Sequence, residues 1–393
     1  MDIYPFRVCV VGRSSDVQLF PKPMRRIFLA LHQRMEVIME KCNCNTRFIK
    51  ITFILFFLMA GILSATSTCY AQGAKAYIST QDGSKLLVYN LASHQLIKSI
   101  DIYTPSALAQ VLPPNANDVI AVGNRIFMTV PGAEISKAGQ NELKVIDSRS
   151  DAVVATIKTD LTPSGLLEYK GRVYMVNRYG NTIQEIDPDS LKIVRSISFT
   201  PPGQMPLNNP LTMEIANDKI YLPFPGGLAR PGIISVLDLK TGAPIKAIEF
   251  STISPYGPIA IKNVGEGKIY LGGIRNAGVL DTRSDRIVRN IILSGREIYV
   301  QSFAVYGGKV YAANGVSTVS VIDPLTDTLL AEIDTGYHDY ACHLRAGIVG
   351  STNKIFVADA GRGIKIIDPK SNRLIMTIAS DEPLGPAAII GSE

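Results

Sequence analysis

The segment YHDYACHL, residues 337–344, gathers His338, Asp339, Cys342 and His343 within six positions. Imidazole, carboxylate and thiolate together suit zinc or copper, so these four form a candidate metal set. In an extended segment Cys342 and His343 point to opposite sides, so only a bent loop aims both at one ion. A buried Cys beside a surface His is the competing expectation.

A second group is spread along the chain: Arg178, Tyr179, Arg230, Arg275, Arg296, Tyr299, Gln301, His338, Tyr340, Arg345 and Arg362. Converging guanidinium and aromatic groups hold a carboxylate, a phosphate or a stacked ring, which makes a small anionic ligand the natural guest. Asp82, Glu134, Asp160, Glu297, Asp339 and Asp359 belong to the same set of turns. Solvated ion pairs therefore compete with an anion pocket. The chain has no CxxCH for covalent haem, no GxSxG nucleophile turn and no Trp. No cofactor and no catalytic residue is expected on this evidence.

The elements that must position these residues come from an internal repeat. An apolar alternation ending in Asp or Asn, a turn, and a second alternation occur seven times, from LLVYNLASHQLIKSI at Leu86 to IKIIDPKSNRLIMTI at Ile364. The residues ending the first alternation are Asn90, Asp147, Asp187, Asp238, Asp281, Asp323 and Asp368, spaced 57, 40, 51, 43, 42 and 45 apart. An Asp or Asn there accepts backbone hydrogen bonds from two or three residues on, and Pro188, Pro324 and Pro369 preset the turn. Each hairpin is preceded by another strand pair whose second member reads KIY or RVY, as in GRVYMVN, NDKIYLP and GGKVYAAN. Four strands in about 40 residues, repeated, predict an all-β fold: a seven-bladed β-propeller of four-stranded antiparallel blades.

VYMVN, KVYAAN and KIFVAD, each followed by VID or its like and a hairpin, resemble the YVTN family of extracytoplasmic, WD40-like propellers over residues 74–391. The resemblance implies the propeller frame and an address outside the cytoplasm. A propeller frame hosts many unrelated activities, so it implies no particular ligand. AKAYIST matches the second strand of a blade, and GPAAIIG at 385–391 supplies the missing first strand. The C-terminal strand is thus expected to complete blade 1 and close the ring, leaving no seam of unpaired backbone.

In such a meander the connections between strands 1 and 2 and between strands 3 and 4 share one face. All other connections share the opposite face. Insertions at 103–117, 131–142, 200–210 and 223–232 all fall in the second set. Repeat insertions gather on binding faces, which nominates that face and the channel mouth as the site.

The leader reads separately. Arg47 and Lys50 precede the apolar run ITFILFFLMAGIL at 51–63, which small residues follow. This is the pattern of a signal peptide, with cleavage expected after Ala71 and a true start at Met35 or Met39. The run is shorter than the roughly 20 residues of a membrane helix, so no membrane span is expected in the mature chain. Residues 72–393 then form the propeller domain. Cleavage removes Cys9, Cys42, Cys44 and Cys69, leaving Cys342 without a disulfide partner.

The formal charge of +6 belongs mostly to the leader, and residues 72–393 carry only +1. Nucleic acid is therefore the least favoured partner. The expectation is an exported binding or scaffold propeller of the periplasm or cell surface, engaging an unidentified protein or small anionic ligand. An enzyme or cofactor-dependent sensor at the channel mouth is the alternative, and polyanion binding a second one.

Overall fold

The structure, a computed structural model, describes residues 74–103, 118–132, 140–202, 209–226, 231–250, 257–293, 299–315, 318–336, 348–351, 353–359 and 363–390. Within the unit Gln72–Glu393 they form seven four-stranded antiparallel sheets, the blades. Blade 1 joins strand Leu384–Ile390 to Lys75–Thr80, Lys85–Asn90 and Gln95–Asp101. Blades 2 to 7 follow as 119–158, 163–198, 214–250, 260–292, 300–334 and 348–378. The expected closure is present: Lys75 pairs with Ile390, Ala76 with Ile389 and Tyr77 with Ala388.

Alternation along the strands explains why the second strand of each blade is apolar throughout. Its odd and even residues enter different cores. In Arg172–Asn177, Val173 and Met175 pack toward blade 2, while Tyr174 and Val176 pack toward blade 4. Each of the seven junctions between blades holds one such cluster. Burial on both faces is what turns an alternating strand into a continuous apolar run.

The outermost strands read differently, and all seven carry a β-bulge at the same place. The extra residue is Ile97, Val154, Val194, Ile245, Val288, Leu330 or Ile375. Each is between 47% and 59% exposed, so these apolar side chains lie outside every core. A bulge twists an edge strand and disrupts the row of groups that a second chain would pair with.

The hairpins between strands 3 and 4 close as the sequence predicts. Asn90, Asp147, Asp187 and Asp281 each accept the backbone N–H groups two and three residues on, at 2.7–3.1 Å. Four residues after this acceptor comes a residue in the left-handed region: His94, Asp151, Leu191, Gly242, Asp285, Asp327 or Asn372, with φ from 49° to 73°.

That position also fastens neighbouring blades. Where it is Asp, the Lys and Tyr of the preceding blade's second strand both reach it. Lys75 and Tyr77 meet Asp151, Lys219 and Tyr221 meet Asp285, and Lys268 and Tyr270 meet Asp327. Among the described residues Asn372 receives Lys309, at 3.2 Å, and the Tyr311 hydroxyl does not reach it. Opposite Leu191 the preceding blade presents Phe127, which has no hydroxyl to donate, and the two belong to one apolar cluster.

One strand departs from the expected insertion boundaries. Pro223 and Phe224 continue the second strand of blade 4, Lys219–Phe224, which narrows the insertion expected at 223–232. Proline fits there because the first strand, Glu214–Ala216, is only three residues long and pairs no further than Tyr221. The missing N–H at Pro223 therefore faces no ladder partner.

Candidate functional site

The face opposite the tight hairpins receives the connections between strands 2 and 3 and those between blades. Arg178 and Tyr179 sit there, in the turn after the strand Arg172–Asn177 of blade 3. The Arg178 guanidinium lies 5.1 Å from the Tyr179 ring centroid, within cation–π range. Its backbone is tied on both sides, with Arg178 N donating to Thr162 O at 2.8 Å and Arg178 O accepting from Asn209 Nδ2 at 2.8 Å.

A second group lies between blades 5 and 6. Ile274 bridges to Tyr299, Val300 N donates to Gly273 O at 3.1 Å, and Leu293 N donates to Arg275 O at 2.9 Å. Arg275 is exposed with φ at 58°, Tyr299 is half-exposed, and Gln301 follows on the innermost strand Val300–Tyr306. The expected residues are thus found in two sets, Arg178–Tyr179 on blade 3 and Arg275–Tyr299–Gln301 at the junction of blades 5 and 6. Arg230, Arg296, His338, Tyr340, Arg345 and Arg362 lie outside the described residues, as do Asp339, Cys342 and His343 of the candidate metal set. Among the described residues no three His, Cys, Asp or Glu side chains gather into a metal-binding group.

The carboxylates of this face are engaged locally. Asp82 accepts from Thr80 Oγ1, Ser84 N and Ser84 Oγ at 2.6–3.0 Å. Burial alone would raise its pKa, but these hydrogen bonds hold it below the ordinary carboxylate range. Glu142 behaves alike: burial works against ionisation, and Lys144 and Lys158 overcome it.

Sequence reasoning missed a set of amides. The side-chain oxygens of Gln140, Asn177, Asn181, Asn209, Asn276 and Asn314 are buried and accept no hydrogen bond among the described residues. All six residues belong to this one face, at the ends of second strands, the starts of third strands, or in the connections. Several spend their NH2 groups on the protein: Asn177 Nδ2 on Thr182 Oγ1 at 3.2 Å, Asn276 Nδ2 on Asn290 Oδ1 at 2.8 Å, and Asn314 Nδ2 on Ser320 Oγ at 2.9 Å. The oxygens remain as acceptors. The sequence signal was the Asn closing RVYMVN and KVYAAN, where other blades place Thr80, Val130 or Phe224.

No protein-family model matches the chain, and no curated protein matches it. Solved structures do. Apo AztD from Citrobacter koseri is 13% identical, with a TM-score of 0.59 over 81% of this chain and 98% of that one. A functionally unknown protein from Desulfotomaculum acetoxidans DSM 771 is 14% identical, with a TM-score of 0.61 over 81% of this chain and 99% of that one. The likeness is one of fold. At such identities it carries no site across, so the chemistry of the insertion face has to be read from this chain's own residues.

Proposed function

We propose that this chain is an exported, non-catalytic binding propeller of the extracytoplasmic YVTN type, working in the periplasm or at the cell surface. It holds a ligand or protein partner on its insertion face. The observation that carries this reading is the gathering of unpaired buried amide oxygens on that face. A buried polar atom without a partner costs about 1–3 kcal/mol, and such atoms mark places where something else completes the bonding. The Arg178–Tyr179 stack and the Arg275–Tyr299–Gln301 group add charged and aromatic contacts on the same side.

Export is read from the leader, and cleavage after Ala71 leaves a chain that begins at Gln72. N-terminal sequencing of the protein from its host checks this directly. The binding reading is tested by melting that protein against divalent metals, nucleotides, sugar acids and small anions, and by cross-linking it to envelope proteins. A ligand at a hundred times its Kd stabilises by about 2.7 kcal/mol. Any thermal shift or cross-link found should be lost in Arg178→Ala or Arg275→Ala. If both variants keep every shift and every cross-link of the parent, the insertion face is not the binding surface.

A further inference from the structure

Two neighbouring outermost strands depart from the other five. That of blade 5, Arg286–Ile292, carries Arg286 and Arg289 and no acid, and its hairpin adds Arg283; all three arginines are exposed. That of blade 6, Thr328–Asp334, carries Glu332 and Asp334 and no base. It alone among the seven outermost strands has more acids than bases. Asp334 is exposed, and Glu332 is half-buried with Ser320 Oγ at 3.4 Å. The two strands touch, and Arg289 Nη1 donates to Thr326 O at 2.8 Å across the seam. A basic and an acidic strand thus stand side by side on the rim.

Their apolar surface also goes beyond the bulge. A bulged aliphatic recurs on all seven blades, so by itself it marks no partner. Ile292 and Leu325 recur nowhere. Four residues past the bulge, where blade 5 has Ile292, the other blades have Asp101, Lys158, Ser198, Glu249, Asp334 and Ala379. Two residues past the turn acceptor, where blade 6 has Leu325, they have Ala92, Arg149, Asp189, Lys240, Arg283 and Lys370. Ile292 at 77% and Leu325 at 76% are the most exposed large apolar side chains among the described residues. With the bulged Val288 and Leu330 they put four exposed aliphatic groups on two adjoining strands and one hairpin. Scattered exposed aliphatics are ordinary, whereas a group of them flanked by charge marks an interaction surface.

We propose that the rim of blades 5 and 6 is a two-fold contact with a second copy of this chain. The charges choose this occupant. An anionic lipid surface would meet Glu332 and Asp334 along with the arginines. A second copy uses both signs, setting the basic strand of each chain on the acidic strand of the other. Such a contact is self-complementary, with the same patch used on both copies. Only an axis running along the strands sets blade 5 against blade 6; an axis across them sets arginine against arginine. The axis along the strands leaves both insertion faces pointing the same way, so a pair of chains presents two binding faces to one side. The bulges keep the two backbones from pairing, so side chains make the contact and it closes at two copies. The contact does not depend on what the insertion face binds.

Sedimentation equilibrium of the protein purified from its host should show monomer and dimer in a concentration-dependent balance that moves to monomer as salt rises. Arg286→Glu with Arg289→Glu should weaken the association by about tenfold or more, and so should Glu332→Lys with Asp334→Lys. Mixed in equal amounts, the two reversed chains should form a heterodimer, because each then offers one sign on both strands to a partner of the other sign. Ile292→Ser with Leu325→Lys installs what blades 3 and 4 carry at these positions. This variant should keep the parent melting temperature and still associate more weakly, which preserves the test if a charge reversal disturbs folding. A monomer at every concentration up to about 1 mM would overturn the proposal. So would association that is unchanged in all three variants, or a mixture no more associated than its parts. A monomer that instead sediments with anionic lipid vesicles, and releases them on Arg286→Glu, would assign the patch to a membrane surface and equally overturn it.

Discussion

Tyr221 Oη lies 2.7 Å from Asp285 Oδ1 across the seam between blades 4 and 5, while Lys219 Nζ lies 2.6 Å from Oδ2 of the same carboxylate. The Tyr hydroxyl is buried and the ion pair largely so. Tyr221→Phe removes one bond to a charged acceptor and should cost about 1.5–3 kcal/mol. Asp285→Ala strands Lys219 and should cost more, about 3 kcal/mol or above. Denaturant midpoints of the two single variants and the double variant measure the coupling. A Tyr221→Phe loss below about 0.5 kcal/mol would mean the clasp is geometry without energy.

The same contacts fix how stability depends on pH. Burial, then the hydrogen bond to the facing Asp and its charge, raises the phenols of Tyr77, Tyr221 and Tyr270 far above their ordinary range. Burial with nearby Asp82 pushes Tyr103 up to about 12. A raised pKa means the folded state keeps a proton that the unfolded chain loses above about pH 10. The stabilisation is complete below that pH and is lost as pH rises further. At the other end, hydrogen bonds from the turns hold Asp147, Asp238, Asp281, Asp323 and Asp368 below the ordinary carboxylate range. Their contribution is complete above about pH 4 and disappears as pH falls. The melting temperature should therefore plateau from about pH 5 to pH 9 and fall on both sides. Tyrosinate absorbance showing every tyrosine ionised in the still-folded protein, with none held back until unfolding, would contradict the alkaline half.

Leu191 occupies the left-handed position with φ at 57°. A side chain there costs about 1–2 kcal/mol relative to Gly, and Leu has no polar group to recover it. Leu191→Gly should stabilise the protein by about 1 kcal/mol, less whatever its packing against Phe127 contributes. The pair Phe127→Tyr with Leu191→Asp should rebuild the clasp of other seams, and only the double variant should gain. A double-variant effect equal to the sum of the two single effects would show that Asp and Tyr do not meet at this seam.

How far the sequence reaches is visible in these residues. The hairpins were legible because an Asp or Asn at a turn entrance acts through neighbours two and three residues away, a purely local relation. The closing strand was legible because a propeller with one strand missing from its first blade has to find it elsewhere. The clasp was also written in the sequence, as a KxY strand in one blade ahead of a hairpin whose fifth residue is Asp in the next. Its two halves lie more than 50 residues apart, however, and only the ring brings them together. The buried amides were only half legible: the Asn closing RVYMVN and KVYAAN stands where other blades place Thr80, Val130 or Phe224, but the burial of its oxygen follows from the folded connections.

The bulged residues of the outer strands allow a test of surface design. Val288 is 59% exposed and unpaired in register, between Ile287 and Arg289. Val288→Lys should change stability by no more than about 0.5 kcal/mol. Deleting Val288 is different, because it removes the bulge and leaves Ile287 and Arg289 adjacent, opposite Leu280 and Val279 in an unbroken ladder. The deletion should straighten the outer edge of blade 5, seen as association beyond the parent's by light scattering. A deletion variant no more associated than the parent would show that the bulge protects nothing.

The closing strand Leu384–Ile390 makes the largest demand on the fold. It supplies the innermost strand of blade 1, pairs with Lys75, Ala76, Tyr77 and Ile78, and places Leu384 in the core shared with blade 7 and Ala388 in the core shared with blade 2. Deleting 384–393 leaves the strand Lys75–Thr80 with an unpaired edge and opens two cores at once. Total stability of a domain is only about 5–15 kcal/mol, so losing one pairing and two packed faces should abolish the single cooperative transition and not merely lower it. Calorimetry on the truncated chain reads this directly. A truncated protein that melts in one transition at the parent temperature would mean that the ring is held by its other five junctions, and that closure contributes little.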